Sequence, residues 1–265
     1  MPEGHTLHRL AREHQRHFAG APVRVSSPQG RFDAGAASVD GRVLERAEAN
    51  GKHLLHHYEG GRIVHVHLGL YGKFTEMPLP MGAPVGQVRM RMVGAQVGTD
   101  LRGPTACEIY DVPQVRALER RLGPDPLRQN ADPDRAWRRI SKSQTAIGAL
   151  LMDQAVLAGV GNVYRAEVLF RHGIHPDRPG AKVGRAEWDA VWTDLVGLMA
   201  VGVDAGVMHV VRPEHDHGAP SYAVDRPRTY VYRRAGEPCR VCGTPVLHAV
   251  MKARNLFWCP ACQPA

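Results

Sequence analysis

Four of the five cysteines fall into two Cys-x-x-Cys pairs, Cys239 with Cys242 and Cys259 with Cys262, with sixteen residues between the pairs. Four thiolates at this spacing suit tetrahedral Zn(II), each turn supplying two ligands. Two disulfides or a redox motif would use the same residues, but the doubled spacing in a chain without a secretory signature favours the metal. All four positions are sulfur, which leaves no open coordination site, so the zinc is expected to be structural. At the other end, Pro2 and Glu3 follow Met1. Removal of the methionine would expose a secondary amine with a pKa near ~8, able to form an iminium with an aldehyde-like carbon. An unimportant terminus would read the same way. Between these ends, Gly159, Gly161 and Asn162 form a Gly-x-Gly-Asn turn between apolar stretches. The glycines allow close backbone approach, Asn162 can cap the next helix, and a helix N-terminus accepts phosphate. An ordinary packing turn has the same signature.

Other elements must hold these groups. GHTLHRLAREHQRHFAG puts Leu7, Leu10, Ala11 and Phe18 at helical spacing, with Gly20 as a stop. From Ala21 to about Asp111 short alternating runs are split by Asn50-Gly51 and Gly60-Gly61, both hairpin signals. Helical patterns follow: PQVRALERRLG, then a Pro-rich connector, then a helix, a second helix, the glycine turn and a third helix. A further helix is expected from about Ala186 to Ala205, and a polar loop from Gly206 to Arg228. VLHAVMKARNLFW, between the cysteine pairs, predicts a β-hairpin whose turn carries Lys252, Arg254 and Asn255. Such a positive tip suits phosphates or a groove, and a merely solvated charged turn is the alternative. The expected architecture is α+β. It comprises an antiparallel β-sandwich with a leading helix over residues 1–122, a helical domain over 123–228 and a four-cysteine zinc-finger hairpin over 229–265.

Net charge is +8 and the pI about 9.5, a balance that favours a polyanionic partner and leaves the fold open. The first thirty residues hold no apolar signal core, and the most apolar stretch, Ala146 to Val160, is broken by Asp153 and Gln154. A soluble, cytoplasmic, nucleoid-associated protein with no membrane segment is therefore expected. His65 and His67 share a strand face without a matching third metal ligand, and read as a paired or exposed face. Cys107 reads as a buried thiol, and Trp188 and Trp192 as packing residues.

Taken together, these parts resemble the formamidopyrimidine-DNA glycosylase/endonuclease VIII family over essentially the whole chain. The residues that carry it are Met1-Pro2-Glu3-Gly4, Gly51-Lys52-His53-Leu54, LGPDPL at 122–127, QAVLAGVGNVYRAEVLF at 154–170, and GEPCRVCGTPV with ARNLFWCPACQ around the cysteines. The resemblance implies a bifunctional glycosylase and abasic-site lyase of base excision repair, with a helix–two-turn–helix motif, one structural zinc and damaged duplex or single-stranded DNA as partner. Pro2 would attack C1′, Glu3 would protonate the opening sugar, and Lys52 would contact phosphate and assist catalysis. Asn162 and Arg254 would clamp phosphates flanking the lesion, a task one monomer can perform. Leu70 and Tyr71, in His67-Leu68-Gly69-Leu70-Tyr71-Gly72, resemble the endonuclease VIII wedge that fills the space left by a flipped base; a hydrophobic hairpin core is the alternative. MPEGH and LGLYG look more like the branch that removes oxidised pyrimidines than the purine-directed branch; a damage-binding protein without chemistry is a third reading. The chain departs from the family at Thr6, where many relatives carry an acid, and at Gly69, where a larger polar residue is expected. The proposed nucleophile also requires that Met1 be absent from the working protein.

Overall fold

The computed structural model describes residues 2–216 and 229–265. The chain divides into two compact units, Met1–Arg121 and Leu122–Ala265.

The first unit begins with α1 (Gly4–Phe18), whose Leu7, Ala11, His14 and Phe18 recur every three or four residues and are buried along one face. Gly20, at φ +82°, turns the chain out of the helix as expected. β1 (Arg24–Ser26) and a short helix, α2 (Asp33–Val39), precede seven further strands. These are β2 (Leu44–Asn50), β3 (His53–Tyr58), β4 (Arg62–His67), β5 (Lys73–Pro78), β6 (Val88–Val93), β7 (Val97–Arg102) and β8 (Ala106–Tyr110). They form two antiparallel four-stranded sheets, β2-β3-β4-β8 and β1-β6-β7-β5. Gly51, and then Gly60 with Gly61, turn the first two hairpins at positive φ, as the dipeptides predicted.

Alternation sorts the side chains. Leu54, Tyr58, Val64 and Val66 from one sheet pack with Val25, Met90, Met92 and Leu101 from the other, and with Leu7, Ala11 and Phe18 of α1. The opposite face of the first sheet is covered by α3 (Val112–Arg121), whose Val115 packs on Leu55 and Ile63. Cys107 lies in the inter-sheet core as a free thiol, and burial pushes its pKa up to about 12.

Two histidine pairs sit within this unit. His14 Nδ1 and His56 Nε2 are 2.9 Å apart, joining α1 to β3. On the outer face, His65 Nδ1 lies 3.2 Å from Glu108 Oε1 and its Nε2 lies 2.8 Å from His53 Nδ1. If Nδ1 of His65 donates to the carboxylate, Nε2 is bare and accepts from His53, so the carboxylate sets both tautomers. His65 also stacks on Tyr110 at 4.4 Å. The paired strand face expected for His65 is what forms.

The second unit contains α4 (Pro133–Ile140), α5 (Ile147–Leu150), α6 (Asn162–Arg171), α7 (Arg185–Ala205) and the hairpin β9 (Leu247–Met251) and β10 (Arg254–Trp258). Asp132 caps α4 by accepting the Asp134 N–H, with Pro133 at the first turn. The second of the expected helices shrinks to the four residues of α5, because the chain then turns repeatedly through 151–161. Ile140, Leu151, Leu157, Tyr164, Val168, Trp188, Leu195 and Met199 form its core. Trp188 and Trp192 pack there, 6.0 Å apart, as expected. Of the predicted 206–228 loop, Met208 and Val210 are buried against this core, and residues 217–228 lie outside the described residues. The helical segment and the finger share one unit because Ala166 and Phe170 of α6 pack with Tyr230, Val246, Phe257, Cys239 and Cys259. Among the described residues, no helix is long and apolar enough to cross a membrane.

Burial holds His14 at about 3, with the charge of His17 adding, and depresses His56 well below the usual imidazole value. Folding therefore favours the neutral rings. Their contribution is complete above the unfolded value near 6.5 and is lost as pH falls toward 3, by on the order of 2 kcal/mol for a ring such as His14 at about pH 5. Calorimetry should show the Tm of the first unit falling by several degrees between about pH 7.5 and 5. A flat profile would contradict the buried neutral pair.

Candidate functional site

In the first unit, Glu3 occupies the position immediately before α1, in extended geometry (φ −120°, ψ −178°), and is fully buried. An anion there faces the positive end of the helix dipole. Pro2, next to it, is half-buried. Lys52 is the second residue of the two-residue turn between β2 and β3 and is half-buried. Its charge, together with desolvation as the larger cause, lowers the pKa of His67. His53 is depressed to about 3, chiefly by burial and then by His65 and His67.

The loop from His67 to Gly72 follows β4. Leu70 is 44% exposed and Tyr71 86%, so neither belongs to a hydrophobic core. An aliphatic and an aromatic side chain are thus held next to each other in water at the tip of this loop. The same loop accounts for Gly69. Its φ is +67°, and a Cβ would collide with the Thr105 hydroxyl, so a larger residue there would have to displace that side chain and adopt a strained left-handed backbone.

In the second unit, the four cysteine sulfurs lie within 4.8 Å of one another. Cys239 and Cys262 Sγ are 3.9 Å apart, and Cys242 and Cys259 Sγ 3.5 Å. A tetrahedron with Zn–S bonds of about 2.3 Å has edges near ~3.8 Å, whereas a disulfide needs about 2.0 Å. The donor set thus fits zinc, and the metal would join the two turns of the finger. Gln263 braces the site: its side chain accepts the Cys259 N–H at 3.0 Å and donates to Ile174 O at 2.9 Å.

The finger tip differs from the sequence expectation. The β9–β10 turn is Lys252-Ala253, both left-handed at φ +49° and +56°, so Arg254 and Asn255 open β10 and do not lie in the turn. No glycine or asparagine marked this turn; the pairing of Met251 with Arg254 sets it. Arg254 is exposed. Asn162 also departs from expectation. Gly161 is the N-cap of α6 and Asn162 its first helical residue. Its amide instead donates from Nδ2 to the carbonyl of Asn255 at 2.9 Å and accepts from Arg165. The turn before α6 is laced by Gln154, which accepts the Gly159 N–H and donates to Val160 O. Two further groups gave no sequence signal. Glu167 is buried and accepts the backbone N–H groups of Tyr230, Val231 and Tyr232 at 2.7, 3.1 and 2.8 Å. Desolvation still raises its pKa, against those three bonds. Arg165, also fully buried, reaches Gly148 O and Asn255 O. The structure therefore joins Asn162 to the strand that carries Arg254, while Pro2, Glu3, Lys52, Leu70 and Tyr71 lie on the first unit.

Three family domains match along the chain. The formamidopyrimidine-DNA glycosylase N-terminal domain covers residues 1–106, the formamidopyrimidine-DNA glycosylase H2TH domain 122–212, and the zinc finger found in FPG and IleRS 236–265. The chain is 67% identical over 267 residues to Endonuclease 8 1 of Mycobacterium tuberculosis, covering 99% of this chain and 100% of that protein. The chain belongs to the formamidopyrimidine-DNA glycosylase/endonuclease VIII family. A formamidopyrimidine-DNA glycosylase of Methylococcus capsulatus is 31% identical, covering 99% of this chain and 98% of that one. Lactococcus lactis Fpg, solved in a complex with abasic-site DNA, superposes with a TM-score of 0.81 at 20% identity, over 99% of this chain and 100% of that chain. That likeness speaks for the fold, and the expected α+β architecture with a four-cysteine finger is what is found. As a family member the chain is a DNA-repair glycosylase with abasic-site lyase activity.

Cys239 and Cys259 belong to the same buried cluster as Ala166 and Phe170, so losing the metal should loosen α6 as well as the finger. Cys259→Ser should lower zinc content, measured by atomic emission, and lower the Tm of the second unit. Full zinc occupancy with an unchanged Tm would refute a metal-held finger. Replacing Ala253 by glycine should relieve a left-handed non-glycine residue and stabilise the finger by up to about 1 kcal/mol, read as slower zinc release to a chelator.

Proposed function

We propose that this enzyme releases oxidised pyrimidines from DNA through a Schiff base at the Pro2 amine, followed by β,δ-elimination. The observation that carries this reading is the pairing of Pro2 with a fully buried Glu3 at the start of α1. Once Met1 is removed, an amine at Pro2 and, next to it in sequence, a carboxylate held out of water are the two groups the chemistry needs.

The steps follow from those groups. With Met1 removed, the Pro2 nitrogen attacks C1′, and the bond from C1′ to the base breaks as the base departs with a proton. Glu3 delivers a proton to O4′ as the C1′–O4′ bond opens, leaving an iminium between Pro2 and C1′. The iminium withdraws electrons from C2′, so a C2′ proton is lost and the 3′-phosphate leaves. A second elimination releases the 5′-phosphate, and water frees Pro2. Lys52, on its turn, offers a positive charge to a backbone phosphate. Asn162 and Arg254 hold phosphates on either side of the lesion, and one zinc keeps the finger in shape.

The base must first leave the stack. The exposure of Leu70 and Tyr71 supports a wedge role: an aliphatic and an aromatic side chain free to enter the gap, with Tyr71 able to stack on the orphaned base. The high identity to a protein named Endonuclease 8 1 supports pyrimidine lesions over purine ones. Nothing in this scheme needs a second chain, so a monomer suffices.

Mature protein should form a borohydride-reducible adduct with duplex DNA carrying 5-hydroxyuracil, mapped by mass spectrometry to Pro2. Pro2→Ala should abolish it, and faster release of 8-oxoguanine would overturn the pyrimidine assignment. Tyr71→Ala should leave stability within about 0.5 kcal/mol, because the ring is exposed, yet slow base release from duplex more than cleavage of a preformed abasic site. Equal slowing of both steps would refute the wedge.

A further inference from the structure

Arg165 is a cation with no accessible surface, near the start of α6 and three residues after Asn162, so the two side chains share a helix face. Its guanidinium reaches three elements. One arm donates to Gly148 O of α5 at 3.3 Å; the other donates to Asn162 Oδ1 and, at 3.2 Å, to Asn255 O of β10. The Asn255 carbonyl therefore accepts from Arg165 and from Asn162 Nδ2 together.

This geometry fixes two things. A guanidinium has donors only, so the Asn162 amide must present its oxygen to Arg165 and its nitrogen to the hairpin. The amide is thus held in one orientation, with one Nδ2 hydrogen committed to Asn255. The planar fork also holds the β10 carbonyl next in sequence to Arg254, and so ties the hairpin near its tip to α6. Gly148 packs closely enough on Met251 that a Cβ there would lie 3.1 Å from its sulfur, so the α5 end of the clamp also abuts the hairpin.

We propose that Arg165 is a positioning residue for DNA binding, which locks Asn162 and the finger hairpin into one rigid phosphate-gripping unit. It touches no DNA itself and acts through Asn162 and Arg254. This rests on the reading of those two residues as phosphate ligands.

The test is a thermodynamic cycle on the full-length protein. The probe is a duplex carrying a tetrahydrofuran abasic-site analogue at fixed ionic strength. Arg165→Lys keeps the buried charge but lacks the fork, and should raise Kd about tenfold. Zinc content should stay at the wild-type level, and so should the single-turnover cleavage rate on saturating abasic-site DNA. In an Asn162→Ala/Arg254→Ala background the same change should cost less than about twofold, because its targets are gone. Equal losses in both backgrounds, or wild-type affinity of Arg165→Lys, would overturn the positioning role alone. Wild-type affinity of the Asn162→Ala/Arg254→Ala protein would instead remove the phosphate-ligand reading and the role of Arg165 with it. Arg165→Gln is the second variant, read in the same cycle. Loss of zinc by both would make Arg165 a folding residue and overturn the proposal.

Discussion

A helix buried on every side can carry charged residues only if the fold bonds them, and α6 carries two in its first two turns. Nine of its ten residues are buried, Arg165 and Glu167 among them. Leaving either unbonded inside the protein would cost several kcal/mol, comparable to the stability of a whole domain. The second unit is arranged around this requirement. Glu167 gathers three backbone N–H groups from residues 230–232, and Arg165 gathers carbonyls from α5 and β10. Segments far apart in sequence are thereby tied to one helix. The finger, too small for a core of its own, gains an apolar footing on Phe170 and Ala166 through the same arrangement.

The first unit meets a different requirement with similar means. The groups with chemical potential lie at its margins: a chain end, a two-residue turn and an exposed loop. Each is anchored to something rigid. The chain end is continuous with α1, which is bound to the sheet by its apolar face and by the His14–His56 pair. The turn bearing Lys52 joins the paired strands β2 and β3, and the loop bearing Leu70 and Tyr71 is fixed at its root by the Thr105 N–H donating to His67 O. Rigid roots hold these positions in place, with Glu3 buried, Pro2 and Lys52 half-buried, and Leu70 and Tyr71 exposed.

What could be read from the sequence was local. The apolar face of α1, the glycine turns, the cysteine spacing and the change from two-residue to helical periodicity all lie within windows of about twenty residues, and all appear in the structure. Long-range pairing was illegible. Arg165 and Asn255 are 90 residues apart, and Glu167 and Val231 are 64. In sequence, Arg165 and Glu167 look like ordinary solvated helix positions. The Lys252-Ala253 turn was misjudged because neither residue advertises positive φ, and the pairing of the flanking strands overrides that preference. Asn162 was read as a cap for the same reason: its partner lies 93 residues away and competes successfully for the amide.

The burial of Cys107 has a bearing on the conditions in which a repair enzyme works. The oxidants that damage bases also attack sulfur, and they react with the thiolate far faster than with the thiol. A group pushed up to about 12 offers almost no thiolate at neutral pH, and the side chain packs in the inter-sheet core. The cysteine outside the finger is thereby a poor target for the stress that creates work for the enzyme.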